Sequence, residues 1–145
     1  IDFQLIVLGE NFTKQPEEFE KARKELGDHI FHFGYAEDFN TYASLLSISD
    51  VIPVTSNQEF FGGSVVEAMY NNVYPLLPNR LAFPGHVPAK HVSSVLYNDL
   101  DDLVDKLIHF LENYPSGTLC TRDWVSPYDW STMARIYDQR LENMK

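Results

Sequence analysis

The sequence predicts an α/β fold: an open parallel sheet in three layers, with helices on both faces. Three observations predict it. Short apolar runs alternate along the chain with amphipathic stretches of helical period. The segments between successive runs are long enough for helical crossovers, which parallel strands require. The first run is nearly continuous in apolar residues, as in a strand covered on both sides. The length of 145 residues favours a single domain, residues 1–145, and suffices for a core without disulfides or metals.

Each element has a local reason. Phe3-Gln4-Leu5-Ile6-Val7-Leu8 reads as the first strand and ends at Gly9. Residues 16–26 follow as a helix, with Pro16 suited to a first turn, Glu17 and Glu18 at the positive end of the dipole, and Gly27 as the stop. Residues 30–33 form a second strand that ends at Gly34, and residues 38–47 a helix with Phe39, Tyr42, Leu45 and Leu46 inward. Residues 51–55 form a third strand, weakened by Pro53, which cannot donate to a ladder. Residues 64–72 read as a short helix, 73–77 as a fourth strand, 78–89 as a loop and 95–97 as a fifth strand. Asp99 caps a helix whose stripe is Leu100, Leu103, Val104, Leu107 and Leu111. Residues 114–128 read as irregular, and the last helix starts near Asp129 with Trp130, Met133, Ala134, Tyr137 and Leu141 at helical spacing.

Composition narrows the function. A net charge of -10 repels phosphate backbones and anionic lipid, so this chain alone is not expected to grip nucleic acid or a membrane. No apolar run reaches the roughly 20 residues that span a bilayer, and no signal-peptide pattern is present. Cys120 is the single cysteine, which excludes an intrachain disulfide and fits a reducing compartment such as the cytoplasm. The five histidines show no zinc-type spacing, so no metal site is expected, and His86 and His91 read as surface residues. The chain does not begin with Met and opens directly on a strand, so a piece of a longer protein is expected.

In open parallel sheets ligands lie at the carboxyl ends of the strands. Three loops belong to that edge: Gly9-Glu10-Asn11, Gly34-Tyr35-Ala36 and residues 56–64. The third is the richest. Gly62-Gly63 lets backbone approach a ligand, and the helix that follows directs amides and positive dipole toward it, which suits a diphosphate. No Lys or Arg occurs between Asp50 and Asn79, so a cation must come from elsewhere; Arg80 and Lys90 are candidates. Plainer readings compete. Ser64-Val65-Val66-Glu67 is also a capping box, with Ser64 at the cap. Glu59 also reads as a solvated loop acid, Phe60 and Phe61 as core, and Tyr35 as a packed loop aromatic.

Glu59 and Glu67, with seven residues between them, lie between a strand and a helix, within Glu59-Phe60-Phe61-Gly62. They are preceded by Asp50-Val51-Ile52-Pro53-Val54-Thr55-Ser56 and followed by Val73-Tyr74-Pro75-Leu76-Leu77-Pro78-Asn79. With Leu8-Gly9-Glu10 and Trp130, these stretches resemble glycosyltransferase family 4, over nearly the whole chain. Phe3-Gln4-Leu5-Ile6-Val7-Leu8-Gly9-Glu10-Asn11-Phe12-Thr13, Glu59-Phe60-Phe61-Gly62 and Tyr74-Pro75-Leu76-Leu77-Pro78 are most similar to the tRNA-queuosine alpha-mannosyltransferase-like branch.

The resemblance implies the carboxyl-terminal, Rossmann-like half of a GT-B fold, truncated at its first strand. It implies retaining hexose transfer from a nucleotide sugar, GDP-mannose in this branch, to queuosine in tRNA, with no metal and no cofactor. Glu67 would accept from the ribose hydroxyls and Glu59 would sit by the transferred hexose. Phe61, Gly62, Gly63 and Ser64 would hold the hexose and diphosphate. Gly34 and Tyr35 would lie near the base and Gly9 in the phosphate cleft. The family's diphosphate-binding Arg and Lys follow a strand that precedes this chain, and its acceptor-binding amino-terminal domain precedes that strand. The chain alone is therefore expected to be inactive. A non-catalytic scaffold of the same fold is the alternative. A phosphoacceptor domain lacks its Asp and Lys here, and a dehydrogenase lacks its Gly-x-Gly-x-x-Gly.

Overall fold

A computed structural model describes residues 1–9, 16–113 and 119–144. Among these the architecture is α/β and every strand ladder is parallel. The chain forms two compact units, Ile1–Ser49 and Asp50–Lys145. Residues 10–13, part of the stretch that carries the branch resemblance, lie outside the described residues, as do residues 114–118 of the stretch expected to be irregular.

In the first unit β1 (Leu5–Leu8) pairs with β2 (Ile30–Gly34), with an irregularity between Leu5 and Ile6. Between them runs α1 (Glu17–Glu25), with acids in its first turn, as expected, and Pro16 at its cap rather than inside that turn. Helix α2 (Phe39–Ser47) starts at Asp38, whose carboxylate accepts from the Thr41 amide at 2.7 Å. It buries Leu45 and Leu46. Phe39, expected inward, is exposed: it opens the first turn and its ring tilts toward Tyr42 at 6.2 Å.

The second unit holds a sheet in the order β3 (Val51–Pro53), β4 (Tyr74–Pro78), β5 (Leu96–Tyr97). Successive residues of β4 face opposite sides. Leu77 joins a core with Val65 and Met69 of α3 (Gly63–Tyr70), with Phe83 and Val125. Leu76 joins Tyr97 and Leu103 on the other face, under α5 (Leu100–Glu112). The sheet is therefore covered on both sides, the layering that the continuous apolar runs predict.

Residues 78–89, expected as loop, include a 3-10 turn at Phe83–His86, and the short α4 (Val92–Val95), not expected from the sequence, precedes β5. In α5 Leu100 and Val104 are exposed, whereas Phe110, outside the expected stripe, is buried. Asp99 caps α5 as expected, accepting from Asp102 at 2.9 Å. The short α6 (Arg122–Val125) is tied to α3 by buried Thr121, whose hydroxyl donates to the Met69 carbonyl at 2.8 Å. Helix α7 (Trp130–Glu142) is capped by Asp129.

Two prolines of this sheet, Pro53 and Pro78, lack an amide on different sides of their strands. Even-numbered residues of β3 face β4, since Val54 donates to the Leu76 carbonyl at 2.9 Å. Pro53 therefore turns to the other side of β3, away from β4, and the objection to it falls. On β4 the residues facing β3 are Tyr74, which donates to Asp50 at 2.8 Å, then Leu76 and Pro78. Continued by two residues, this pattern would send the amide of residue 78 to the Val54 carbonyl, and Pro78 has none. The Tyr97 hydroxyl takes its place, donating to that carbonyl at 2.6 Å inside the core. Tyr97→Phe is therefore expected to leave a buried carbonyl unsatisfied and lower stability by about 1–3 kcal/mol, read by urea denaturation.

Candidate functional site

The residues singled out by sequence fall at strand ends and on one helix start. In the first unit Gly9 and Gly34 come together at the carboxyl ends of β1 and β2, where the Gly9 amide donates to the Gly34 carbonyl at 3.1 Å. Gly34 has a φ of 133°, which favours glycine. Tyr35 follows and is exposed, not packed as the plainer reading has it, because it lies beyond the last ladder pair, Leu8 with Gly34.

In the second unit the chain leaves β3 at Val54 and reaches α3 through residues 55–62. Gly62 caps α3 with φ 87° and ψ 48°, the left-handed region, and no side chain caps the helix. This corrects the capping-box reading. Because Gly62 makes the turn itself, Ser64 lies inside the first turn, and Glu67 lies beyond the third position that a capping box needs. Both are exposed. The first amides of α3, including those of Gly63 and Ser64, point out of its amino-terminal end, as in any helix.

Glu59 bends back on its own loop. Its Oε1 accepts from the amides of Phe60 at 3.0 Å and Phe61 at 3.3 Å. The amides of Phe61, Gly62 and Phe60 hold the carboxyl below its ordinary value. Glu59 is thus a structured anion at the turn, not merely a solvated acid. Phe60, read as core, is wholly exposed, and Phe61 is 46% exposed. Glu59 draws the backbone of both residues toward its carboxylate, and the Phe60 side chain is left in solvent.

The segment after β4 braces this loop. The Arg80 guanidinium donates from Nη2 to the Ser56 carbonyl and to Asn57 Oδ1, each at 3.1 Å. Arg80 also borders a cavity of about 550 Å³ with Thr55, Tyr97, Asp99 and Asp101; neither Glu59 nor Glu67 lines it. Burial raises the pKa of the Tyr97 phenol, and Arg80 nearby opposes that rise. Leu81, next in the chain, has a φ of 59°, a strained conformation for a side chain of its size. A Cβ on Gly62 would meet the Phe83 ring at 3.3 Å.

His86 departs most from its sequence reading. It was expected at the surface and is 5% exposed. Its Nε2 lies 2.6 Å from the Phe61 carbonyl oxygen and its Nδ1 3.2 Å from the Tyr128 hydroxyl. The rings of Phe61, His86 and Tyr128 meet edge to face, with centroids 5.1 to 5.4 Å apart. Sequence reasoning missed His86, Phe83 and Tyr128 as site residues. The signal in the sequence is the pair of prolines, Pro84 and Pro127, each inside a short 3-10 turn. Among the described residues no three His, Cys, Asp or Glu side chains gather closely enough to hold a metal ion. No helix among them is long and apolar enough to cross a membrane.

Two outcomes follow from this geometry. Gly62→Ala meets both the left-handed φ and the Phe83 ring, and is expected to cost about 1–3 kcal/mol in denaturant unfolding. Glu59, with its pKa depressed, stabilises the fold above its ordinary value of 4.5, and that contribution is lost as pH falls through the lower folded value. The stability gap between the parent and Glu59→Gln should therefore be constant near neutral pH and close in acid. A gap that ignores pH would show that the loop does not depend on the carboxylate.

Residues 1–122 match the family model described as Glycosyl transferases group 1. Over 110 residues the chain is 34% identical to a tRNA-queuosine alpha-mannosyltransferase of Drosophila melanogaster, a match covering 76% of this chain and 28% of that protein. The chain thus spans well under half the length of that relative. In structure it is similar to Anabaena HepE, crystallised in complex with UDP, with a TM-score of 0.69 over 98% of this chain and 40% of that one. At 18% identity that likeness speaks for the fold, which is the parallel α/β fold expected. The match over residues 1–122 takes in the first unit, most of the second and the whole turn from Glu59 to Glu67, and it decides the family: the chain belongs to the glycosyl transferases group 1 family.

Proposed function

We propose that the chain is the donor-binding half of a retaining hexosyltransferase, with the turn from Glu59 to Glu67 as its donor site. The observation that carries this reading is the Gly62 turn. A left-handed glycine opens α3, an acid stands on each side of it, and the helix start faces outward with its amides. Those amides suit a diphosphate, while Glu67, exposed one turn further along α3, suits ribose hydroxyls. Glu59 stands beside the transferred hexose. Phe61 and Gly62 shape the turn, and Gly63 and Ser64 offer amides. The family resemblance assigns Gly9 to the phosphates and Gly34 and Tyr35 to the base, and in the second unit Arg80 supplies a cation near the loop.

The likeness to the Drosophila enzyme supports mannose as the transferred sugar and queuosine in tRNA as acceptor, and GDP-mannose is the donor that the family resemblance implies. The UDP held by the Anabaena neighbour supports a nucleoside diphosphate as the leaving group. The reaction keeps anomeric configuration by a front-side route, in which the departing phosphate helps deprotonate the acceptor. Oriented amides and cations stabilise that phosphate, with no metal or cofactor. The acceptor is bound by an amino-terminal half of the longer protein, so this chain alone is inactive. The lone, exposed Cys120 accords with a cytoplasmic enzyme.

Titration calorimetry of the full-length protein with GDP tests the site. Glu67→Ala is expected to weaken binding by roughly 10- to 100-fold, the loss of charge-assisted hydrogen bonds. Unchanged affinity would remove Glu67 from the site. Absence of mannose transfer from GDP-mannose to queuosine-containing tRNA, or to any acceptor, would instead favour a scaffold role.

A further inference from the structure

We infer that His86 is a positioning residue for the donor turn: by holding the Phe61 carbonyl it selects one orientation of the Phe61–Gly62 peptide, and Tyr128 keeps the imidazole in the tautomer that does so. The inference rests on the donor-site reading above and adds a residue to it.

A trans peptide is planar, with its carbonyl and N–H pointing in opposite directions. Whatever holds the Phe61 carbonyl therefore aims the Gly62 N–H. Gly62 needs such a hold. Rotation of this peptide changes ψ of residue 61 and φ of residue 62, and a glycine accepts either sign of φ, so the backbone itself does not choose. The choice comes from the Phe83–His86 turn. Phe83 lies beneath the glycine, 3.3 Å from where a Cβ would stand, and His86 takes the carbonyl at 2.6 Å. The opposite N–H then faces the side on which Glu59 collects its amides; the Gly62 amide is among those that depress the Glu59 carboxyl.

The chemistry of the ring agrees. A carbonyl oxygen only accepts, so Nε2 carries the proton. In neutral imidazole Nδ1 is then an acceptor, and the Tyr128 hydroxyl donates to it at 3.2 Å. Without that hydroxyl the proton is free to sit on Nδ1, which would leave two acceptors facing each other at Phe61. His86 itself is only 5% exposed, so water reaches its ring poorly to repair the loss.

The test uses the full-length protein and three variants: His86→Leu, His86→Gln and Tyr128→Phe. His86→Leu removes both hydrogen bonds. His86→Gln returns an N–H near the position of Nε2. With GDP-mannose and queuosine-containing tRNA, His86→Leu is expected to lower kcat by about 10- to 100-fold with KM for the donor changed less than about threefold. His86→Gln should recover most of that loss, and Tyr128→Phe should fall between. A readout independent of nucleotide is the acid titration of the Gly62 amide resonance in protein labelled with 15N-glycine. In His86→Leu the carboxyl of Glu59 should titrate closer to its ordinary value than in the parent. Where His86→Leu does not fold, His86→Gln and Tyr128→Phe carry the same comparison, with only Tyr128→Phe moving the titration. An unchanged titration in His86→Leu, or in Tyr128→Phe if that stands alone, overturns the inference, as does His86→Gln behaving no better than His86→Leu. If the parent neither binds GDP nor transfers mannose, the donor reading fails while the titration still decides whether His86 sets the peptide.

Discussion

The carboxyl edge of the three-stranded sheet depends on one buried hydrogen bond, from the Tyr97 hydroxyl to the Val54 carbonyl. Val54 is the last residue to donate across to β4 before the loop that leads to Gly62. Pro78 ends β4 just before Asn79 and Arg80, and Tyr97 ends β5 just before the cap of α5 at Asp99. Three chain segments therefore leave the sheet around a single bonded pair. A proline at the end of the central strand removes the amide that would have finished the ladder, and a tyrosine from the neighbouring strand restores it.

From that edge the loop is held on several sides at once. Arg80 grips its start at Ser56 and Asn57, Phe83 supports its glycine, and His86 takes its last carbonyl. All three come from residues 80–86. The strain at Leu81 lies between the first grip and the second, and is the local cost of turning the chain back over the loop. This is how a loop rich in glycine acquires a fixed shape: its own backbone is permissive, and the order is imposed by a neighbour that is not. Sites that stabilise developing charge need such order in advance of binding.

What was legible in the sequence was what local chemistry decides. The strand ends at Gly9 and Gly34, the helix starts near Asp38 and Asp129 and the acid cap at Asp99 stood in the letters, because each depends on residues a few places away. The start of α3 was harder. Gly62-Gly63-Ser64 followed by Glu67 satisfies two grammars, a serine cap and a left-handed glycine, and only the packing against Phe83 separates them. Phe110 in place of Val104 shows the same limit on a helix, where the buried face is set by Tyr74 across the sheet and not by period alone. His86 was beyond reach: its partners lie 25 and 42 residues away, and neither carries a motif.

The left-handed glycine has a consequence for descent. A peptide held by its own glycine, by the ring beneath it and by a histidine with its tyrosine makes residues 62, 83, 86 and 128 one heritable unit. A substitution at one of them is therefore expected to be tolerated best where a second has changed to suit it. The turn is then inherited together with the residues behind it.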